Sequence, residues 1–186
     1  MNRTLRIGIT HGDINGISYE VIMKALKDNR INEFCTPIVY GLAKVASYHR
    51  KTLGMHDFSF QITRNISNVS LKNPNLLNLS DKEVRVTLGE SSSIAGQVAV
   101  QSINAACRDL KNNEIDAIVT ADYNTDMLGY SNTETKAPVI NASGLTPQEI
   151  KNRIDIVNKL IMFLNNKFSK FDNGLYYYKL FQNTEI

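Results

Sequence analysis

Apolar and polar positions alternate from the start of the chain. Leu5 to Thr10 is an alternating, β-branched stretch that predicts a first strand. His11-Gly12-Asp13-Ile14-Asn15-Gly16 interrupts it as a turn, because Gly and Asn accept positive φ and Asp bonds nearby backbone. Ile17, Val21, Ile22, Ala25 and Leu26 then recur at helical spacing, so a helix opens near Gly16 and ends around Asp28 and Asn29. Pro37 to Tyr40 predicts a second strand, which passes through Gly41 into a helix over Ala43 to Leu53, closed at Gly54. Phe58 to Ile62 alternates again and predicts another strand.

Residues 64–82 are polar, rich in Asn and Ser, and contain Pro74; they predict loop with a short strand at Leu76 to Leu79. Val84 to Leu88 alternates as a further strand. From Gly89 the period turns helical, with Ile94, Val98, Ile103, Ala106, Cys107 and Leu110 on one stripe. Ala117 to Ala121 is a short apolar run of the kind buried on both faces of a parallel sheet. This succession predicts an α/β fold: a mostly parallel sheet flanked by helices, with right-handed crossovers.

Residues 124–145 are polar and turn-rich with no clear period. Thr146, Pro147 and Glu149 then supply a cap, a first-turn proline and the reciprocal acid of a capping box. Ile150, Ile154, Val157, Ile161, Leu164 and Phe168 follow as the stripe of one long helix over 146–168. Leu175 to Phe181 has the composition of a strand. The division expected is an α/β core over 1–125 and a divergent tail over 126–186, whose helix packs on the same domain.

With 186 residues, 42% of them hydrophobic, and a formal charge of +3, the chain is long enough for a real core and too apolar for disorder. No apolar run approaches the roughly 20 residues of a membrane span, and the first residues lack a signal-peptide core. No basic stripe interleaved with aromatics marks a nucleic-acid surface. Cys35 and Cys107 form no metal-ligand spacing and read as reduced core thiols, which suits a cytoplasmic protein.

Ligands of open parallel sheets bind outside the carboxyl ends of the strands. Two loops fall there: His11 to Gly16, ahead of a helix N-terminus that favours an anion, and Asp122 to Asp126 after the last strand. Both also fit ordinary turns with solvated Asp and Asn. Gly12 and Gly16 do not complete a dinucleotide fingerprint, and neither a phosphate-loop lysine nor a Gly-x-Ser-x-Gly elbow occurs. Gly89 to Ser93 reads as a capped helix entry rather than a phosphate cradle. Of the three histidines, His49 lies beside Arg50 and Lys51 and predicts a solvated helix face, and His56 falls in a turn. Only His11 occupies a functional position, as a candidate acid or base.

The stretch Ile9-Thr10-His11-Gly12-Asp13-Ile14-Asn15-Gly16-Ile17-Ser18-Tyr19-Glu20 resembles the opening of the 4-hydroxythreonine-4-phosphate dehydrogenase family, usually Thr-Pro-Gly-Asp-Pro-x-Gly-Ile-Gly-Pro-Glu. Pro37 to Gly41 is similar to that family's second strand, Ser93 to Ala99 to its Thr-Ala-Gly-x-x-Ala helix, and Asp116 to Ala121 to its Val-Thr-Ala strand. The resemblance implies a fold related to isocitrate and isopropylmalate dehydrogenases, here shortened. It implies NAD-dependent oxidation and decarboxylation of 4-phosphohydroxy-threonine on the route to pyridoxal phosphate, a divalent metal held by histidines, and a homodimer. On it, His11, Gly12, Asp13, Gly16 and Asn124 are the candidate substrate contacts.

Departures accompany the match. Thr125 stands where the family carries lysine, the family's Gly-His-Thr-Glu phosphate segment has no counterpart, and no histidine follows His56, so no metal ligands are assigned. Residues 145–172 bear a fainter likeness to a later family stretch, implying loss of an internal segment. The expectation is therefore weak or no turnover. The alternative is a non-catalytic remnant that binds a phosphorylated metabolite or associates with a full-length homologue.

Overall fold

The structure is a computed structural model and describes residues 4–121, 139–140 and 145–168. Its elements are β1 (Leu5–Thr10), α1 (Ser18–Leu26), β2 (Cys35–Gly41), α2 (Ala43–Thr52), β3 (Gln61–Thr63), β4 (Asn75–Asn78), α3 (Ser93–Lys111), β5 (Ala117–Thr120), β6 (Val139–Ile140) and α4 (Pro147–Phe168). The strands form one sheet in the order β3-β4-β2-β1-β5-β6. The first five are parallel, and β6 joins β5 antiparallel. The mostly parallel α/β architecture read from the sequence is the one observed.

Side chains alternate across the central strands, as the period of two requires. Ile7, Ile9, Val39, Leu76, Ala117 and Val119 face one way and pack with α1, α2 and α4. Ile38, Tyr40, Leu77 and Ile118 face the other way, towards Ala105, Ala106 and Leu110 of α3. The sheet is thus covered on both faces, which is why β2 is buried along its whole length.

Three elements differ from their sequence reading. The strand expected at Phe58 to Ile62 is the shorter β3, because Phe58 leaves the ladder to enter the core, 4% exposed, with its ring edge-on to Phe60. Val84 to Leu88 forms no strand; Val84 and Val86 rest against the core from an extended segment. Helix α3 buries mostly small residues: Ile94 is 53% exposed, while Ala95, Gly96, Ala99, Ser102, Ala105 and Ala106 form the buried side together with Leu110 in the last turn. Small side chains let this helix lie close over the central strands, and a hydropathy stripe under-weights Ala and Ser.

The long C-terminal helix starts at Pro147 as its capping box requires, with the Thr146 N–H donating to Glu149 Oε2 at 2.9 Å. Val157 and Leu160 are buried in the core shared with α1. Arg153 clamps the helix to the start of β5, its Nη2 lying 3.0 Å from Asp116 Oδ1. Asp116 is 3% exposed, and its other oxygen accepts the Arg6 N–H of β1 at 2.8 Å. The Leu175 to Phe181 stretch lies outside the described residues. No helix among the described residues is long and apolar enough to cross a membrane.

Removing Arg153 leaves the Asp116 carboxylate buried without its cation. Arg153→Ala is expected to lower unfolding free energy by about 2–4 kcal/mol in urea titrations. A loss below about 0.5 kcal/mol, the range of an ordinary surface substitution, would show that α4 is not anchored there.

Candidate functional site

The chain reverses its direction of travel across the sheet beside β1: β2 lies on one side, and β5 is reached by crossing back to the other. Crevices of this kind hold the ligands of doubly wound folds. The His11 to Gly16 loop leaves β1 at this edge. It enters α1, whose Ile17 cap position offers no side-chain acceptor. Asp122 and Asn124, expected on the facing loop after β5, lie outside the described residues.

The loop is wound by its own polar groups. Gly12 takes φ +67°, in the left-handed region open to glycine at little cost. Asp13 is half-buried; its Oδ1 accepts the Asn15 N–H at 2.8 Å, and its carbonyl accepts the Gly16 N–H at 3.3 Å. Asn15, which sequence reasoning passed over, is 2% exposed and joins this loop to the segment before α3. Its Nδ2 donates to the Glu90 carbonyl at 2.8 Å and to Ser92 Oγ at 3.2 Å. Its Oδ1 accepts the Thr87 N–H at 3.0 Å, and its carbonyl accepts the Gly89 N–H at 2.9 Å. Ser92 also caps α3 by accepting the Ala95 N–H, so Gly89 to Ser93 is a capped entry as read. The alternating stretch before it serves as the partner of Asn15 rather than as a strand. No local pattern signals Asn15, because its partners are more than 70 residues away in sequence.

Beneath the loop stands a column of three rings. His11 stacks on Tyr19 at 5.5 Å between centroids, and Tyr19 stacks on His49 at 5.2 Å. His49 is 3% exposed, which corrects the solvated face expected for it. Its Nε2 donates to the Ile14 carbonyl at 2.7 Å, and because a carbonyl only accepts, this bond fixes the proton on Nε2. The hydroxyl of Tyr19 accepts the Leu42 N–H at 2.9 Å. Its ring end approaches Gly41 so closely that a Cβ there would lie 2.6 Å from the phenol oxygen. Only glycine leaves room for the column.

His11 is wholly buried, and among the described residues neither ring nitrogen has a hydrogen-bond partner. Burial drives its pKa down to about 4, with neighbouring backbone of Gly12 and Val98 opposing the shift in part. His49 is lowered as well, chiefly by desolvation. His11 N–H donates to Ser102 Oγ of α3 at 3.2 Å, and that hydroxyl donates to the Tyr40 carbonyl at 2.6 Å, tying the ends of β1 and β2 together. Thr10 Oγ1 is likewise buried and unpaired. Of the candidate contacts, Gly12 is buried, Asp13 and Gly16 are half-buried at the loop surface, and His11 supports the loop from below.

A metal held by imidazoles does not fit these residues. His11 is sealed, His49 is committed to Ile14, and His56 stands in an exposed turn. No group of three His, Cys, Asp or Glu side chains among the described residues is placed to hold an ion. Cys35 is buried, its thiol pushed up to about 12 by desolvation, and Cys107 is half-buried.

Comparison with known proteins gives two likenesses. The chain is 42% identical over 120 residues to a 4-hydroxythreonine-4-phosphate dehydrogenase from Bacteroides thetaiotaomicron, covering 64% of this chain and 33% of that protein. It superposes on the crystal structure of a 4-hydroxythreonine-4-phosphate dehydrogenase from Burkholderia phymatum with a TM-score of 0.63 and 29% identity, over 69% of this chain and 39% of the other. The chain therefore spans between a third and two fifths of the length of these relatives. Residues 99–156 match an uncharacterised protein family, UPF0180. A UPF0180 protein from Clostridium acetobutylicum is 60% identical over 45 residues, 24% of this chain and 52% of that one. The UPF0180 match takes in Asn124 and residues 145–156, so the tail has a likeness of its own besides the fainter one to a later dehydrogenase stretch.

Two outcomes test the loop's construction. Asn15→Ala leaves the Thr87 N–H and the Glu90 carbonyl without their partner and is expected to cost about 2–3 kcal/mol in urea unfolding. The second concerns pH. The unfolded chain accepts a proton on His11 near pH 6.5 and the native state refuses it until about 4. Stability is therefore full above pH 6.5 and falls as pH drops, by about 3 kcal/mol from this group. Unfolding titrations across this range should show the His11→Phe variant losing less stability than the parent. Parallel pH curves would mean that His11 takes up its proton without opening the loop.

Proposed function

Starting from the chain's relationship to the 4-hydroxythreonine-4-phosphate dehydrogenases over 64% of its length, we propose that it binds a small phosphorylated hydroxy-acid at the β1–α1 loop. We infer further that it supports NAD-dependent oxidation of 4-phosphohydroxy-threonine far more weakly than a complete relative. The observation that carries the first part is the family-like loop, built at the switch point of a parallel sheet and leading into the N-terminus of α1. The second part rests on the donor set, which does not suit a metal held by histidines.

In this reading the loop positions and the sheet supports. The amides at the start of α1 and the surface of Asp13 and Gly16 orient a charged ligand. The buried column of His11, Tyr19 and His49 keeps water from beneath the loop and fixes its height. NAD, when bound, supplies the hydride acceptor, and orientation of substrate against it is what a protein contributes to such chemistry. The described residues provide one wall of that arrangement.

Association with a full-length homologue is a second reading, favoured by one feature. Ile17, Leu88 and Ile94 are 40%, 50% and 53% exposed. All three adjoin segments that Asn15 draws together, so they form an apolar rim around the loop.

Absorbance of NADH with 4-phosphohydroxy-threonine, NAD and added Zn²⁺ or Mg²⁺ tests the proposal. The rate expected is below about a thousandth of a complete enzyme's, the scale of lost electrostatic and orienting groups. The same substrate should raise the melting temperature in a concentration-dependent way. A rate within tenfold of the full-length relative would overturn the claim of weak turnover. No thermal shift at saturating substrate would overturn binding.

A further inference from the structure

A groove of about 560 Å³ runs along α3 on the side of the sheet away from α1, and no part of the loop site lines it. One wall is a single helical stripe, Gln97, Gln101, Asn104 and Arg108; Arg64 faces it from beyond β3, and Leu77 and Ala105 lie between. Among the described residues no acidic side chain lines the groove, whereas two guanidinium groups do.

The stripe is unusual for a solvated helix face, which ordinarily mixes Lys and Glu. All the charged residues of α3 (Arg108, Asp109 and Lys111) fall in its last turn, so its earlier turns present uncharged carboxamides to the groove. Gln97 and Asn104 make no side-chain hydrogen bond among the described residues, and Gln101 makes one long bond of 3.4 Å to the Leu79 carbonyl. Their donors and acceptors are available together on one line.

The cations are held from behind. Arg108 Nε donates to Asp109 Oδ1 at 3.2 Å, and Asp109, 6% exposed, is itself fixed by the Tyr40 hydroxyl at 2.9 Å. Arg64 is paired with Asp81, which Asn78 also contacts. Each guanidinium keeps further N–H groups for a ligand, since five are available and these pairs use one apiece.

We propose that this groove binds a small hydroxylated organic anion, a carboxylate or a phosphate ester. Its charge lies against Arg64 and Arg108, its hydroxyl groups pair with Gln97, Gln101 and Asn104, and its carbon skeleton rests on Leu77 and Ala105. The bond types match: guanidinium forks suit carboxylate and phosphate oxygens, and carboxamides both give and accept hydrogen bonds as hydroxyls do. The site is separate from the β1–α1 loop and does not depend on the function proposed for it.

The test is an NMR titration of the full chain with 3-phosphoglycerate, an anion of this class, at constant ionic strength. The side-chain amide signals of Gln97, Gln101 and Asn104 should move along a saturating curve. The double variant Arg64→Gln/Arg108→Gln should weaken that curve at least about tenfold with unchanged circular dichroism. Absence of saturable shifts would overturn the proposal, as would equal affinity in the double variant or the same shifts with potassium chloride. Shifts confined to residues 11–20 would instead assign the anion to the loop.

Discussion

The structure depends on satisfying the backbone of one buried loop. Where β1 ends, the chain turns largely inside the protein, with His11, Gly12, Ile14 and Asn15 buried, and their amides and carbonyls lose water. Asp13 pairs with the loop's own backbone, Asn15 ties it to the segment ahead of α3, His49 holds the Ile14 carbonyl, and Ser102 takes the His11 amide. The pairings come from the loop itself, the segment ahead of α3, α2 and α3, so the buried backbone is satisfied only when these elements are packed together. The Tyr19 ring at the centre of the column sets how near α1 and α2 can come, and Gly41 admits its hydroxyl.

That arrangement bears directly on chemistry. A loop placed where ligands bind has spent much of its polar capacity on its own architecture. Asn15 and the rings beneath are committed inward, and Asp13 and Gly16 are the half-buried residues of the loop. Among the described residues His11 is not placed for acid–base work, because its imidazole is buried, resists protonation and has no hydrogen-bond partner there.

The two family likenesses meet in one sheet. Residues 99–156, similar to UPF0180, contain most of α3, all of β5 and the first turns of α4. Asp116 and Arg153, joined by their ion pair, both fall within this stretch, while Asp116 also takes the Arg6 amide of β1. Contacts of this kind make α4 part of the same core as the dehydrogenase-like strands. Ser102, the bridge between β1 and β2, also lies within residues 99–156.

The sequence by itself determined the layered parallel sheet, the capping box of α4 and the place of the first loop. These are set by local rules: alternation, helical period, and the few residues that can turn or cap a chain. It also carried the family likeness, which rests on short motifs kept in order. Only the tertiary structure decided that Asn15 is the clasp, that His49 is buried, that Val84 to Leu88 is no strand, and that small residues of α3 face the sheet. Each of these depends on partners distant in the chain. Hydropathy assigns a side chain its preference for water, but which neighbour satisfies a buried polar group is settled by how helices and strands pack.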